Sequence, residues 1–278
     1  MADETGRLGL VAGGGGLPLE IARLCRQTGR PYFVVRLKGF AAPELAEHPG
    51  GEAGLAEFGR ITTLLRDAGC RTACFCGYIR RPDFSALKPD LKGLMYLPGV
   101  AAAAAHGDDA LLRAVLAAFE REGFEIEGVG QAGAALTLPS GALGAVAPAL
   151  RHQADIGLAL DEARALGRSD VGQAAIVRHG AVIAREDSRG TDAMLAGCVQ
   201  ATGGGDRAGV LAKTPKPAQD LRVDLPTIGP ATVEGAARAG LAGVVGPAGQ
   251  VLVVQREAVI AAADRLGLFV VGVEEPAP

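Results

Sequence analysis

The chain has 278 residues, of which 49% are apolar and 21% charged, with a net charge of −3. That length and apolar content suffice for one large domain or two ordinary ones. The near-neutral charge, without a long basic run, argues against nucleic-acid binding, which rests on neutralising phosphates. Aromatic residues are 4% of the chain and Trp is absent, so the core is aliphatic. The opening Met1-Ala2-Asp3-Glu4 is acidic and lacks an apolar signal segment. No apolar run approaches the ~20 residues that span a bilayer. Five unpatterned cysteines, Cys25, Cys70, Cys74, Cys76 and Cys198, fit reduced thiols and a cytoplasmic protein.

In chain order, residues 8–12 predict a strand that runs into four glycines. Residues 17–28 predict a helix, with Pro18 in its first turn and Gly29 beyond its end. A strand follows at 32–35, a helix at 59–68 and a strand at 72–76. Residues 108–122 carry Leu111, Leu112, Val115, Leu116 and Phe119 on one helical face. A short strand is expected at 124–126. This alternation predicts a mostly parallel sheet covered by helices. Residues 131–150, rich in Gly, Ala, Pro and Ser, read as a linker between a first domain, 1–130, and a second, 151–278. The second half predicts a helix at 154–166 and a hairpin of 174–178 with 182–185, turning at His179-Gly180. Further helices are expected at 191–201, 232–239 and 257–266, and strands at 209–212, 251–255 and 269–272.

Four stretches carry residues suited to chemistry. The first is the strand–glycine–helix turn Gly13, Gly14, Gly15 and Gly16, where backbone amides and a helix N-terminus suit a phosphate. It is neither a P-loop nor a complete dinucleotide fingerprint, because no Gly-Lys-Ser/Thr follows and Pro18-Leu19 replaces the third glycine. The second is Gly77-Tyr78-Ile79-Arg80-Arg81-Pro82 after the 72–76 strand, where Arg80 or Arg81 suits phosphate contact or a solvated turn. Cys74 and Cys76 just before it lie on one face of the strand and read as buried thiols rather than a zinc site. The third is the run 186–192, in which Thr191 suits an N-cap and Asp192 a magnesium ligand or electrostatic anchor. The fourth runs from Lys213 to Pro230 and alternates charges with prolines. There Lys213 and Lys216 suit phosphate oxygens, and Asp220 and Asp224 suit a hard divalent ion.

With these residues in view, the chain resembles the UDP-2,3-diacylglucosamine pyrophosphatase family of LpxI type. The resemblance rests on Gly9 to Gly15, Gly77 to Pro82, Lys88-Pro89-Asp90 and Gly107-Asp108-Asp109. In the second half it rests on Asp170 to Gln173, Gly190 to Leu195, Lys213, Gln219-Asp220, Asp224 to Pro230 and Gly267 to Gly272. These segments occur in order over nearly the whole chain. Two departures are the charged run 185–189 and Ala196-Gly197-Cys198, which stands where a basic residue is expected.

The resemblance implies two α/β domains, the first Rossmann-like, with substrate between them. It implies hydrolysis of UDP-2,3-diacylglucosamine to 2,3-diacylglucosamine 1-phosphate and UMP during lipid A assembly, with Mg²⁺ or Mn²⁺, at the cytoplasmic face of the inner membrane. The expected catalytic residues are Asp224, Asp192 and Lys213, and the expected metal ligands are Asp224, Asp192 and Asp220. Gln173, Thr191, Gln219 and Thr227 are expected to position substrate, as are the 13–16 loop, Gly77 and Arg80. The acyl slot is expected in the Ala/Leu/Val-rich second half. The sequence leaves a homo-oligomer open. The rival enzyme reading is an NADP-dependent oxidoreductase with Arg36 and Lys38 on a 2′-phosphate; the non-catalytic rival is a nucleotide- or lipid-binding protein.

Overall fold

The computed structural model describes residues 6–80, 82–169, 171–198, 207–217 and 220–274. The chain divides into two compact units. Unit 1 comprises residues 1–133 together with 220–224, and unit 2 comprises 134–219 with 225–278.

Unit 1 contains β1 (Arg7–Ala12), α1 (Leu17–Thr28), β2 (Tyr32–Leu37), β3 (Gly50–Ala53), α2 (Phe58–Asp67), β4 (Cys70–Cys76), α3 (Leu91–Ala104), α4 (Asp108–Arg121), β5 (Glu125–Ile126) and α5 (Val129–Ala132). Its strands form one parallel sheet in the order β3-β2-β1-β4-β5. The expected Rossmann-like arrangement is therefore present. The order reverses beside β1: the chain moves outward through β2 and β3, then returns to β4 on the other side. Open α/β sheets bind ligands beyond the strand ends at such a switch point. One face of the sheet packs Val35, Leu37, Phe58, Ile61, Leu65 and Phe119 into a core.

Unit 2 contains β6 (Gly141–Ala142), α6 (Gln153–Arg168), β7 (Ala174–Arg178), β8 (Ala181–Arg185), α7 (Gly190–Gly197), β9 (Val210–Lys213), β10 (Thr227–Ile228), α8 (Pro230–Arg238), β11 (Gly243–Pro247), β12 (Leu252–Val253), α9 (Arg256–Leu266) and β13 (Phe269–Val273). Its main sheet runs β13-β11-β9-β7-β8, parallel from β13 to β9 and antiparallel from β9 to β8. Side chains alternate across it with the period of a strand. Ala174, Ile176 and Leu211 join the core under α8 and α9, while Ala175, Val177, Val210 and Ala212 join the core under α6. The hairpin turns at His179 and Gly180, both at positive φ. The Asp155 carboxylate on α6 accepts from both of their amides, at 3.0 and 2.7 Å.

Several expectations are corrected. Residues 131–150, whose low charge and apolar residues already speak against a solvated tether, pack into unit 2 from Ala134 on. Leu138 N donates to Val251 O, Leu143 N donates to Val270 O, and both leucines are buried in the unit 2 core. Low charge and several apolar side chains give that stretch reason to pack. The boundary falls at 133/134, and five residues of the proline-rich stretch return to unit 1. Strands β3 and β11 and helix α3 had no counterpart in the sequence reading. β3 reads Gly-Gly-Glu-Ala, β11 carries two glycines and a proline, and α3 is apolar on every side with Pro98 inside it. None shows the periodicity that marks an element. The strand expected at 251–255 shortens to β12. Of the helix expected at 191–201, residues 199–201 lie outside the described residues, as do Arg81 and Asp170.

Candidate active site

In unit 1 the loop after β1 packs against the turn after β4. Gly13 N donates to Cys76 O at 2.8 Å, Gly14 N donates to Tyr78 O at 2.8 Å, and Tyr78 N donates back to Gly14 O at 3.0 Å. A Cβ on Gly14 would lie 2.8 Å from the Tyr78 ring, and one on Gly77 would lie 2.5 Å from Gly14 O. Gly77 also has φ +87°, a left-handed conformation that favours glycine. These glycines are thus explained by close packing of two loops. The amides of Gly13 and Gly14 are spent inside the protein, which corrects their assignment to phosphate. Gly15 and Gly16 stand at the α1 N-terminus, where the first amides of a helix lack intrahelical acceptors. Tyr78 lies beside Gly15, and both it and Arg80 are exposed.

Below this rim unit 1 holds a cavity of about 420 Å³. Its walls include Phe75, Ile79, Tyr96, Leu97, Leu112 and Val115, and Asp224 contributes one of its few acidic groups. An apolar cavity thus lies in the first unit, while the acyl slot was expected in the second. Helix α4 joins the sheet core through Ala118 and Phe119, and residues of both α3 and α4 line the cavity.

Asp224 sits at the end of a tightly made turn. Asp220 O accepts from Val223 N and Asp224 N, at 3.0 and 3.2 Å. The Asp220 carboxylate accepts from Arg222 N at 3.0 Å and from its guanidinium at 2.7–3.2 Å. That guanidinium also reaches Glu120 at 2.6 Å. Arg222 holds the Asp220 carboxyl below the usual carboxylate range. Asp220, expected as a metal ligand, anchors the turn, with both of its oxygens bonded to Arg222. Gln219 lies outside the described residues.

Unit 2 brings a polar cluster together at the ends of β7, β8 and β9. Lys213 pairs with Ala174 across the sheet, and its Nζ donates to Thr227 O at 2.9 Å. Glu186 Oε2 accepts from Gln173 N at 2.7 Å, and Oε1 accepts from the Thr191 hydroxyl at 2.5 Å. Lys213 and Glu186 are each only 6% exposed. Burial pushes the Lys213 ammonium down, and the charges of Glu186 and Asp192 oppose that shift. Among the described residues, Gln173 Oε1 and Thr214 Oγ1 are buried without a hydrogen-bond partner, an arrangement that ordinarily costs free energy. Thr191 does not cap α7 with its side chain; its hydroxyl goes to Glu186. Asp192 is exposed in the first turn of α7. Lys213, Gln173, Thr191, Asp192 and Thr227 are thus neighbours in one unit, while Asp224, Gly77, Arg80 and the 13–16 loop belong to the other.

The sequence reading missed Glu186 and Thr214. Glu186 was indistinguishable there from the acids around it, since only burial separates it from Asp187. The signal for Thr214 was its place next to Lys213. No group of three or more His, Cys, Asp and Glu side chains able to hold a metal occurs among the described residues. Four of the five cysteines are buried, and burial pushes the Cys70 thiol up to about 11.

The LpxI N-terminal domain matches residues 7–135 and the LpxI C-terminal domain matches residues 139–271. The chain belongs to the LpxI family. A curated LpxI protein, the UDP-2,3-diacylglucosamine pyrophosphatase of Caulobacter vibrioides, is 58% identical over 96% of this chain and 98% of its own. A solved structure of CobK precorrin-6A reductase aligns with TM-score 0.30 and 18% identity over 98% of this chain and 88% of that one. That likeness is too slight to carry an argument. No described helix is long and apolar enough to cross a membrane.

Proposed function

We propose that this LpxI chain hydrolyses the pyrophosphate of UDP-2,3-diacylglucosamine, releasing 2,3-diacylglucosamine 1-phosphate and UMP in lipid A biosynthesis. The observation that carries the reading is the identity of 58% to the named pyrophosphatase across both units. The buried ammonium of Lys213, beside the unpartnered Thr214 hydroxyl and Gln173 amide, supports it. An anion's oxygens would satisfy that hydroxyl, and the amide would do the same after exchange of its oxygen and nitrogen positions.

Phosphoryl transfer asks chiefly for positioning and charge stabilisation. Lys213 offsets charge on a non-bridging oxygen. Thr214, Gln173 and Thr227 orient the diphosphate, and the Gly15 and Gly16 amides and Arg80 serve the nucleotide or diphosphate. Asp224 orients the attacking water and would hold Mg²⁺ or Mn²⁺. The donor set fits such an ion, which needs only one or two carboxylates plus substrate phosphates and water. Bound there, the ion would neutralise phosphate charge. Asp192 is assigned as a counter-charge to Lys213 rather than a metal ligand.

The apolar cavity of unit 1 suits the acyl chains, being within the size range of small-molecule sites. On α3, Gly93, Tyr96, Leu97 and Val100 face that cavity, while Leu91, Leu94 and Met95 are exposed. An apolar face continuous with the cavity wall suits peripheral contact with a lipid surface at the cytoplasmic face of the inner membrane. Arg36 and Lys38, the residues of the NADP reading, lie 3.8 Å from Glu52 and Glu57. The deciding assay incubates purified protein with UDP-2,3-diacylglucosamine and Mg²⁺ and measures UMP. Oxidation of NADPH, or binding without UMP release, would overturn the reading.

A further inference from the structure

Glu186 lies at the end of β8, where Glu186 N donates to Ala174 O at 2.9 Å. The chain at Gly172 passes so close that a Cβ there would stand 2.6 Å from Glu186 O. The side chain is therefore fixed from behind by backbone. One carboxylate oxygen takes the Gln173 amide and the other takes the Thr191 hydroxyl. Across β7, Lys213 pairs with Ala174, and Thr214 N donates to Gln173 O at 2.9 Å. One carboxylate thus ties Gln173, at the start of β7, to Thr191 on α7, and Lys213 stands on the neighbouring strand β9. A buried carboxylate is costly unless it is paired and hydrogen-bonded. Here the cost is met by two hydrogen bonds and a buried cation. Asp187, the next acid, is only half-buried, and its carboxylate bonds to Arg189.

We propose that Glu186 is a positioning residue of this reaction, holding the Gln173 backbone N–H, and with it the start of β7 that carries the Gln173 side chain, and the Thr191 hydroxyl in place, and supplying the buried counter-charge opposite Lys213. It touches no reacting atom and acts through these three neighbours. The proposal rests on the assignment of Lys213 to the diphosphate. A lysine this deeply buried tends toward the neutral amine, which cannot offset phosphate charge. The acidic groups that face Lys213 are Glu186 beyond β8 and Asp192 on α7. Only Glu186 is buried with it.

The test is the pH profile of kcat/KM for UMP release in Glu186→Gln and Glu186→Asp. Loss of the charge in Glu186→Gln should move the alkaline limb to lower pH by about one to three units, so that the deficit is smallest in acid and grows with pH. Glu186→Asp keeps the charge and should restore the limb towards its wild-type position. A uniform loss at every pH, with the limb unmoved, would assign Glu186 a structural role alone and overturn the proposal. Direct ¹⁵N NMR titration of the Lys213 ε-amine in wild type and Glu186→Gln gives the same comparison without turnover. An unchanged titration there would also overturn it. Absence of UMP release from wild type would sink the functional reading instead, and the NMR comparison keeps the two failures distinct.

Discussion

Replacing Asp224 with Ala should nearly abolish turnover and leave the fold in place. The structure separates the two effects. The turn that carries Asp224 is held by Asp220 O, by the Asp220–Arg222 pair, by Arg222 with Glu120, and by Val129 N donating to Arg222 O at 3.0 Å. These bonds use the backbone of Asp224 and not its carboxylate. The side chain is half-buried on the wall of an apolar cavity, where it adds nothing to the hydrophobic core. An ordinary point substitution costs about 1 kcal/mol, a Tm change of roughly 2–4 °C in a chain of this size. Loss of a group that orients the nucleophile typically lowers rate by about 10²- to 10⁴-fold, which corresponds to about 3–5.5 kcal/mol of barrier. The loss should fall on kcat, because the carboxylate acts mainly in the transition state. Removing an anion near the diphosphate relieves repulsion in the ground state, so substrate should still bind. Asp224→Asn, matched in size, should behave alike. UMP release measured against substrate concentration, with calorimetric Kd and thermal unfolding on the same preparations, reads all three quantities. A kcat within threefold of wild type would remove Asp224 from the mechanism and turn attention to Asp192; a large fall in Tm would refute the separation of turn from carboxylate.

EDTA should abolish UMP release and Mg²⁺ or Mn²⁺ should restore it; activity indifferent to chelation would refute an oxygen-held ion. Glu122 accepts from Lys92 at 2.5 Å and from Arg66 at 2.6 Å, which pull its carboxyl down to about 2. Its folded pKa lies below its unfolded value of about 4.3, so its contribution to stability is full above that value and lost as pH falls towards 2. Glu122→Gln should therefore unfold more readily near neutrality and show a weaker pH dependence between about pH 4 and 2, followed by circular dichroism. Because Cys198 is half-buried while the other four thiols are buried, an aromatic disulfide reagent at pH 8 should titrate Cys198 first in native protein and the others only on unfolding; the hydrogen bond with Cys76 and burial also raise the Cys74 thiol. Rapid reaction of Cys74 would contradict its burial.

The local signals in the sequence were those that do not depend on partners. Helix α1 is marked by its Pro18 start and Gly29 stop, α4 by an apolar stripe, and the β7–β8 hairpin by its His179-Gly180 turn, because capping, periodicity and turn chemistry act over a few residues. The alternation of strands and helices likewise made a parallel first sheet legible, and the ordered motifs made the family legible. Tertiary structure alone decided the rest. Edge strand β3 exists because β2 offers it hydrogen-bonding groups, and its own Gly-Gly-Glu-Ala has no reason to be extended. The 131–150 stretch looked like a linker until Leu138 and Leu143 found a sheet to cover. Asp220 and Asp224 are the same residue type four positions apart, yet a guanidinium claims one carboxylate and an apolar cavity borders the other. Glu186 differs from Asp187 chiefly in being buried beside Lys213. Burial and charge pairing are properties of neighbours brought from distant parts of the chain, and no window of sequence contains them.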